Sequence, residues 1–272
     1  MISLYHWHTE PFLIGSLLAL GWVYALMVGP LRTRMFGPWP LPRKEIGCFS
    51  AGVVMFYLSV GSPLDALGES FLFSAHMVQH NLLMYVCPPL LLLGLPTWMV
   101  DTALRNRPGL EQLTYRLTRP VTAGVIVTLT FSLWHLPSLY EAALRVKWIH
   151  ITEHLTLFFP CLLMWWAFCS PSKRVPSLSP GSQLIYLFAL MVAQLPLFAA
   201  LTFHGGVLYP TYAYAPRLLG LSAAEDQILG GLIMKIANML VSLALMASVF
   251  YRWDRASRQP ETENTRREPV TA

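Results

Sequence analysis

Apolar runs separated by short polar connections cover most of the chain. Seven runs stand out, at residues 11–29, 46–61, 73–95, 120–136, 148–169, 182–203 and 227–250. Each approaches the length, about 20 residues, that an α-helix needs to cross a bilayer core. The pattern predicts an all-α fold: a polytopic membrane protein built as a seven-transmembrane helix bundle. The second and fourth runs are short, which predicts upright helices or a locally thinned membrane. Within 96–119 the stretch LEQLTYRLT predicts a short amphipathic helix lying on the membrane surface. A single seven-span membrane domain is expected over 1–250. The tail 251–272 is polar and rich in both charges, and is expected to be disordered and cytoplasmic.

Composition agrees with the pattern. Hydrophobic residues make up 55% of the 272-residue chain and charged residues only 12%, which excludes an ordinary soluble domain. The net charge of +5 does not point to nucleic acid, because all the basic residues but Lys235 sit in the connections and the tail. Taken on alternate sides of the seven runs, 15 Lys and Arg fall on one side and 3 on the other. The positive-inside rule then predicts the N-terminus outside and the C-terminus in the cytoplasm. The first ten residues hold no Lys or Arg and no small-residue cleavage site, so the first run is expected to act as its own insertion signal. Four cysteines lie within apolar segments with no CxxC spacing, which argues against a zinc ribbon, a thioredoxin-type motif or a disulfide framework.

The candidate chemistry is histidine. His76 and His80 open the third run four residues apart, so they share one helix face. The same stripe continues to Met84 and Cys87. His150 and His154 open the fifth run in the same way, with Cys161 further along. Imidazoles followed by a thioether and thiols form a soft-donor ladder, which suits copper better than magnesium or calcium. His135 ends the fourth run and His204 the sixth, while His6 and His8 precede the first. On the predicted topology all eight histidines fall at or near the outer face. Asp65, Glu153 and Asp226 are carboxylates at the same end. Glu153 adjoins His154 and is expected to point off the histidine stripe, as a support or an interfacial residue. Asp226 and Met234 share a stripe of the seventh run, with Gly230 between them leaving room for a neighbouring helix. Lys235 lies within that run, where a charge is costly and marks a functional candidate. Gln79 and Gln194 are expected to hydrogen-bond between helices. YPTY at Tyr209–Tyr212 predicts a tight, ordered loop.

A plainer reading stands beside the metal one. Paired histidines also hydrogen-bond between packed helices, and buried Cys and Met are ordinary core residues. His6 and His8 would then belong to a mobile terminus. There is no HExxH, no Walker A loop and no GxSxG in the chain.

Five segments together resemble one family: HMVQHNLL at His76–Leu83, LWHLPSLY at Leu133–Tyr140, WIHITEHLTLFFPCLLMWW at Trp148–Trp166, YPTY, and LSAAEDQILGGLIM at Leu221–Met234. The chain is similar in these to the CtaG-type (caa-type) cytochrome c oxidase assembly factors of bacterial plasma membranes. Lys235 departs from the pattern, which more often has an aromatic residue there. The resemblance implies a multi-pass plasma (inner) membrane protein that is not an enzyme and matures haem–copper oxidases by handling copper. Its partners would be oxidase subunits and membrane lipid, with no nucleic acid. His76, His80, His135, His150 and His154 are the implied metal residues. Met84, Cys87, Glu153, Cys161, His204, Asp226 and Met234 are possible further ligands or supports. Three other readings stay open at this point. One is a seven-span zinc hydrolase using Asp226 or Glu153 as acid and base. Another is a haem protein with facing histidines, and the last is a metal-free assembly scaffold.

Overall fold

The computed structural model describes residues 6–218 and 220–265. Among these residues there is no strand. The long helices are α1 (Pro11–Val28), α3 (Arg43–Val60), α9 (Pro120–Trp134), α11 (Lys147–Cys169), α12 (Pro180–Phe203) and α14 (Ala223–Thr265). A further run begins as α5 (Phe73–Asn81), passes through a π-helical turn (Leu82–Val86) and continues as α6 (Cys87–Leu93). Shorter helices join them: α2 (Arg32–Phe36), α4 (Pro63–Ser70), α7 (Thr97–Arg105), α8 (Pro108–Leu117), α10 (Pro137–Arg145) and α13 (Pro210–Tyr214).

Each apolar run of the sequence coincides with one of these long helical stretches. Five helices are long and apolar enough by themselves to cross a membrane, and the number rises to seven if two bent pairs each count as one span. The bends are 84° between α6 and α7 and 65° between α8 and α9. The amphipathic segment expected around LEQLTYRLT is α8. Helix α14 continues from Tyr251 to Thr265, over the first part of the segment expected to be a disordered tail, and 266–272 lie outside the described residues.

The helices close on one another in a ring. The α5–α6 run packs on α14, α14 on α12, α12 on α9, α9 on α11, and α11 returns to α6. Helix α3 lies against α6 from outside, and α1 lies against α3. The outward faces carry exposed Phe12, Trp22, Val121, Ile185 and Phe188, the composition of a lipid-facing surface. Lipid removes the hydrophobic drive between such helices, so close packing and interhelical hydrogen bonds hold them together. Gln194 supplies one set: it accepts from Tyr85 Oη at 3.4 Å and from Asn238 Nδ2 at 3.1 Å. Gly230 allows the α14–α5 contact, since a Cβ there would lie 2.4 Å from the Phe73 ring. This is the room for a neighbour that the Asp226–Met234 stripe predicted.

The π turn has a chemical cause. Pro88 has no N–H, so the carbonyl four residues back loses its helical donor. That carbonyl belongs to Met84, and Trp165 Nε1 donates to it at 2.8 Å. The Cys87 N–H reaches back five residues to Leu82 instead of four. One extra residue per turn rotates everything beyond Leu82 relative to His76 and His80.

Gly68 sets the crossing of α4 on α5. A Cβ at Gly68 would lie 2.9 Å from the His76 Cα and 3.1 Å from its backbone nitrogen. These are backbone atoms and cannot swing aside. Gly68→Ala is therefore expected to lower stability by about 1–3 kcal/mol, the usual cost of overpacking, measured as thermal unfolding in detergent. A melting curve unchanged from the parent would show that the two helices are free to separate.

Candidate metal centre

Three short helical segments each bring a pair of polar residues four positions apart to one end of the ring. Helix α4 brings Asp65 and Glu69, α5 brings His76 and His80, and α11 brings His150 and His154. The pairs meet. Ring centroids lie 4.3 Å apart for His76–His80 and 4.1 Å for His150–His154. Between helices the separations are 5.5 Å for His76–His150, 5.8 Å for His76–His154 and 5.7 Å for His80–His154. His135, the last residue against α9, stands 5.7 Å from His80. All five imidazoles are buried.

Glu153 completes the cluster. It is fully buried, and Oε1 lies 3.7 Å from His76 Nε2 and 3.5 Å from His80 Nε2. The two Nε2 atoms are themselves 2.8 Å apart. Ligands bonded to a tetrahedral ion at 2.0–2.1 Å sit about 3.3 Å from one another, and the three observed separations bracket that value. His154 adds a fourth donor, so that ligand atoms of His76, His80, Glu153 and His154 all lie within 4.8 Å of one another. Neither Glu153 oxygen has a hydrogen-bond partner, and His154 Nε2 has none. A buried, unpaired carboxylate is strongly disfavoured unless a cation compensates it. The donor set fits a metal ion of the copper or zinc type, which bind imidazole and carboxylate.

The surroundings orient the rings. His135 Nδ1 lies 2.7 Å from the Phe131 carbonyl, which assigns the proton to Nδ1 and leaves Nε2 as a free lone pair. Tyr140 packs on His76 at 5.1 Å. Its hydroxyl meets that of Tyr212 at 2.9 Å, and Tyr212 donates to the Gly68 carbonyl at 2.6 Å, so Tyr140 is the donor of the first bond. Tyr209 Oη donates to the His135 carbonyl at 2.9 Å. The YPTY segment is ordered, as predicted, but it forms the start of helix α13 and not a loop.

A second group adjoins the first. Ligand atoms of Asp65, His150 and His154 lie within 4.8 Å of one another. Glu69 bonds His150 Nδ1, and Gln79 Nε2 donates to Asp65 Oδ1, the interhelical role expected of Gln79. His8 Nε2 lies 2.9 Å from Asp65 Oδ2, and His8 Nδ1 lies 3.0 Å from Glu10 Oε1. Hydrogen bonding to Asp65, only partly offset by burial, raises the His8 pKa to about 9. His8 is therefore held in place by two carboxylates, whereas the sequence suggested a mobile terminus.

Several expected residues lie elsewhere. Cys87 is buried but outside both groups, beyond the π turn, with Sγ 4.0 Å from Ser59 Oγ of α3, and Met84 belongs to the apolar core. Cys161 and Met234 belong to the apolar core. His204 is exposed at the end of α12. Lys235 is half-buried, with Nζ 5.6 Å from the centre of the Phe198 ring. Asp226 caps α5: its carboxylate accepts from Phe73 N at 2.7 Å, Ser74 N at 3.4 Å and Ser74 Oγ at 2.5 Å. Spacing measured from His154 puts Glu153 off the stripe. Measured from His150 the spacing is three residues, which shares a face, so the signal is present in the sequence. The Asp65–Glu69 pair is also readable at helical spacing, but it sits in what looks like a loop.

Fold and site together define a helical membrane protein with a buried histidine–carboxylate centre. The profile of the cytochrome c oxidase caa3 assembly factor family matches residues 22–256, and the chain belongs to that family. A protein of Mycobacterium bovis, described only as uncharacterized, is 26% identical over 273 residues, covering 93% of this chain and 40% of its own length. A Mycobacterium tuberculosis protein gives the same figures. One from Mycobacterium leprae is 24% identical over 278 residues, with 92% and 40% covered. The chain thus spans about 40% of the length of the curated relatives it matches. No solved structure matches it.

Proposed function

We propose that this protein binds copper at His76, His80, Glu153 and His154 and delivers it to a subunit of a haem–copper oxidase during assembly. The observation that carries this reading is the buried Glu153 carboxylate, which has no hydrogen-bond donor and faces two imidazole nitrogens. The chain makes seven spans in a bacterial plasma membrane, with the N-terminus outside and the C-terminus in the cytoplasm. Charge bias supports this orientation, and it places the centre at the periplasmic end, where α5 and α11 begin. The role is one of binding and transfer, not catalysis, in keeping with an assembly factor family. Copper is the substrate carried. The donor set contains no sulfur, so it is harder than the ladder written in the sequence.

The test is the metal and haem content of the detergent-purified chain beside a His76→Ala, His80→Ala double variant. About one copper per chain in the parent, and at least about 100-fold weaker retention once two ligands are gone, is the expected result. Zinc in place of copper would move the reading to a membrane hydrolase. Haem would move it to a haem protein. No metal in the parent after copper loading would leave a scaffold.

A further inference from the structure

The copper centre is sealed, and its ion must reach it. The groups around it become steadily more accessible in one direction. The Glu153 and His76 side chains are 0% exposed, His150 5%, Asp65 7%, His8 16% and Glu10 36%. Along that line carboxylates alternate with imidazoles, and neighbouring groups touch. Glu10 meets His8, His8 meets Asp65, and Asp65 shares a group with His150 and His154. His154 also belongs to the inner group. His150 Nε2 and His154 Nε2 have no hydrogen-bond partner although both side chains are buried.

We propose that Asp65, His150 and His154 form a second metal site, which receives the copper ion and passes it inward with His154 kept as the common ligand. The inference rests on the copper reading of the inner group. Transfer is a ligand exchange: the bonds to Asp65 and His150 break, bonds to His76, His80 and Glu153 form, and the ion keeps its oxidation state. The donor counts fit this order. Two imidazoles and one carboxylate leave coordination positions open, which suits exchange, whereas the inner set of three imidazoles and one carboxylate can close around the ion and retain it. Glu10 and Glu69 add negative charge beside the outer group. The Glu10 carboxylate is held by Lys147 Nζ at 2.6 Å, an exposed ion pair that an arriving cation can displace.

The test separates rate from capacity. Full-length parent, Asp65→Asn and His150→Gln proteins are purified without metal in detergent and mixed with copper(II). Samples are quenched with EDTA at timed intervals, and the retained copper is measured. Both variants are expected to reach the parent's final copper content, but to load at least about 10-fold more slowly, the lower end of effects seen when groups around a metal are altered. Loading within about twofold of the parent in both variants would overturn the proposal and leave Asp65 and His150 as interfacial residues. A final content reduced by half or more in both would also overturn it, because the two groups would then be one site. A parent that retains no copper would overturn the copper reading itself, and this inference with it.

Discussion

His154→Ala is expected to abolish copper retention. His154 is the one side chain in both groups of ligand atoms, the four-donor set with His76, His80 and Glu153 and the three-donor set with Asp65 and His150. Removing it opens the inner cage and also takes away the ligand common to the transfer. Altering a residue that merely supports a ligand weakens metal binding by about 10–100-fold, so losing the ligand itself should exceed about 100-fold. Competition titration against a chelator reads this directly. Thermal unfolding gives a second readout, because an ion that binds only the folded state raises its stability. The copper-dependent rise in melting temperature should disappear in His154→Ala. His204→Ala is the matched control: that side chain is exposed at the end of α12 and contacts neither group. Retention by His154→Ala within a few-fold of the parent would sink the shared-ligand arrangement.

Much of this centre is legible in the sequence. The two histidine pairs are written at helical spacing, and the ends of the apolar runs place them with His135 at one end of the bundle. The long helices themselves follow from run length alone. What fails is extrapolation along a helix. The stripe from His80 to Cys87 assumes an unbroken α-helix, but Pro88 removes one donor and the turn before it widens. Cys87 is carried toward Ser59, and the thiol leaves the ladder. Which polar residues at that end do which task is not legible either, because that depends on which helices are neighbours. Asp226 and Glu153 look alike in the sequence: each is an acid in the first turns of an apolar helix. In the fold one meets the free N–H groups of α5, and the other faces two imidazole nitrogens with no hydrogen bond to its own oxygens. The same carboxylate chemistry serves as a cap in one place and as a candidate ligand in the other. The histidine at position 8 shows the converse. Its segment has no periodicity to read, and although Glu10 lies two residues away, it is the approach of α4 that brings Asp65 to the other ring nitrogen.

Asp226→Ala is expected to destabilise the protein and loosen the metal centre together. The first N–H groups of a helix have no partner within the helix and need an acceptor. The residue preceding α5 is Leu72, which offers no side-chain cap, and Asp226 supplies the acceptor from α14. Its carboxylate takes three hydrogen bonds, from Phe73 N, Ser74 N and Ser74 Oγ, in a site that water does not reach. A negative charge there also meets the positive end of the helix dipole. Truncation to alanine strands these donors, at about 1–3 kcal/mol for a buried unsatisfied group. A net loss of about 3 kcal/mol is expected in thermal unfolding. Asp226→Asn keeps an acceptor oxygen for the Phe73 N–H but turns an NH2 toward Ser74, so it loses the charge and the acceptor for the Ser74 N–H, and should cost about 1–2 kcal/mol, less than alanine. His76 stands in the first turn of α5, and any drift of that turn moves its ring off Glu153. Copper affinity should therefore fall in step with stability across the two variants. The alternative has a different signature. If Asp226→Ala melts like the parent but releases copper, Asp226 is a ligand and not a cap, and the inner site extends along α14.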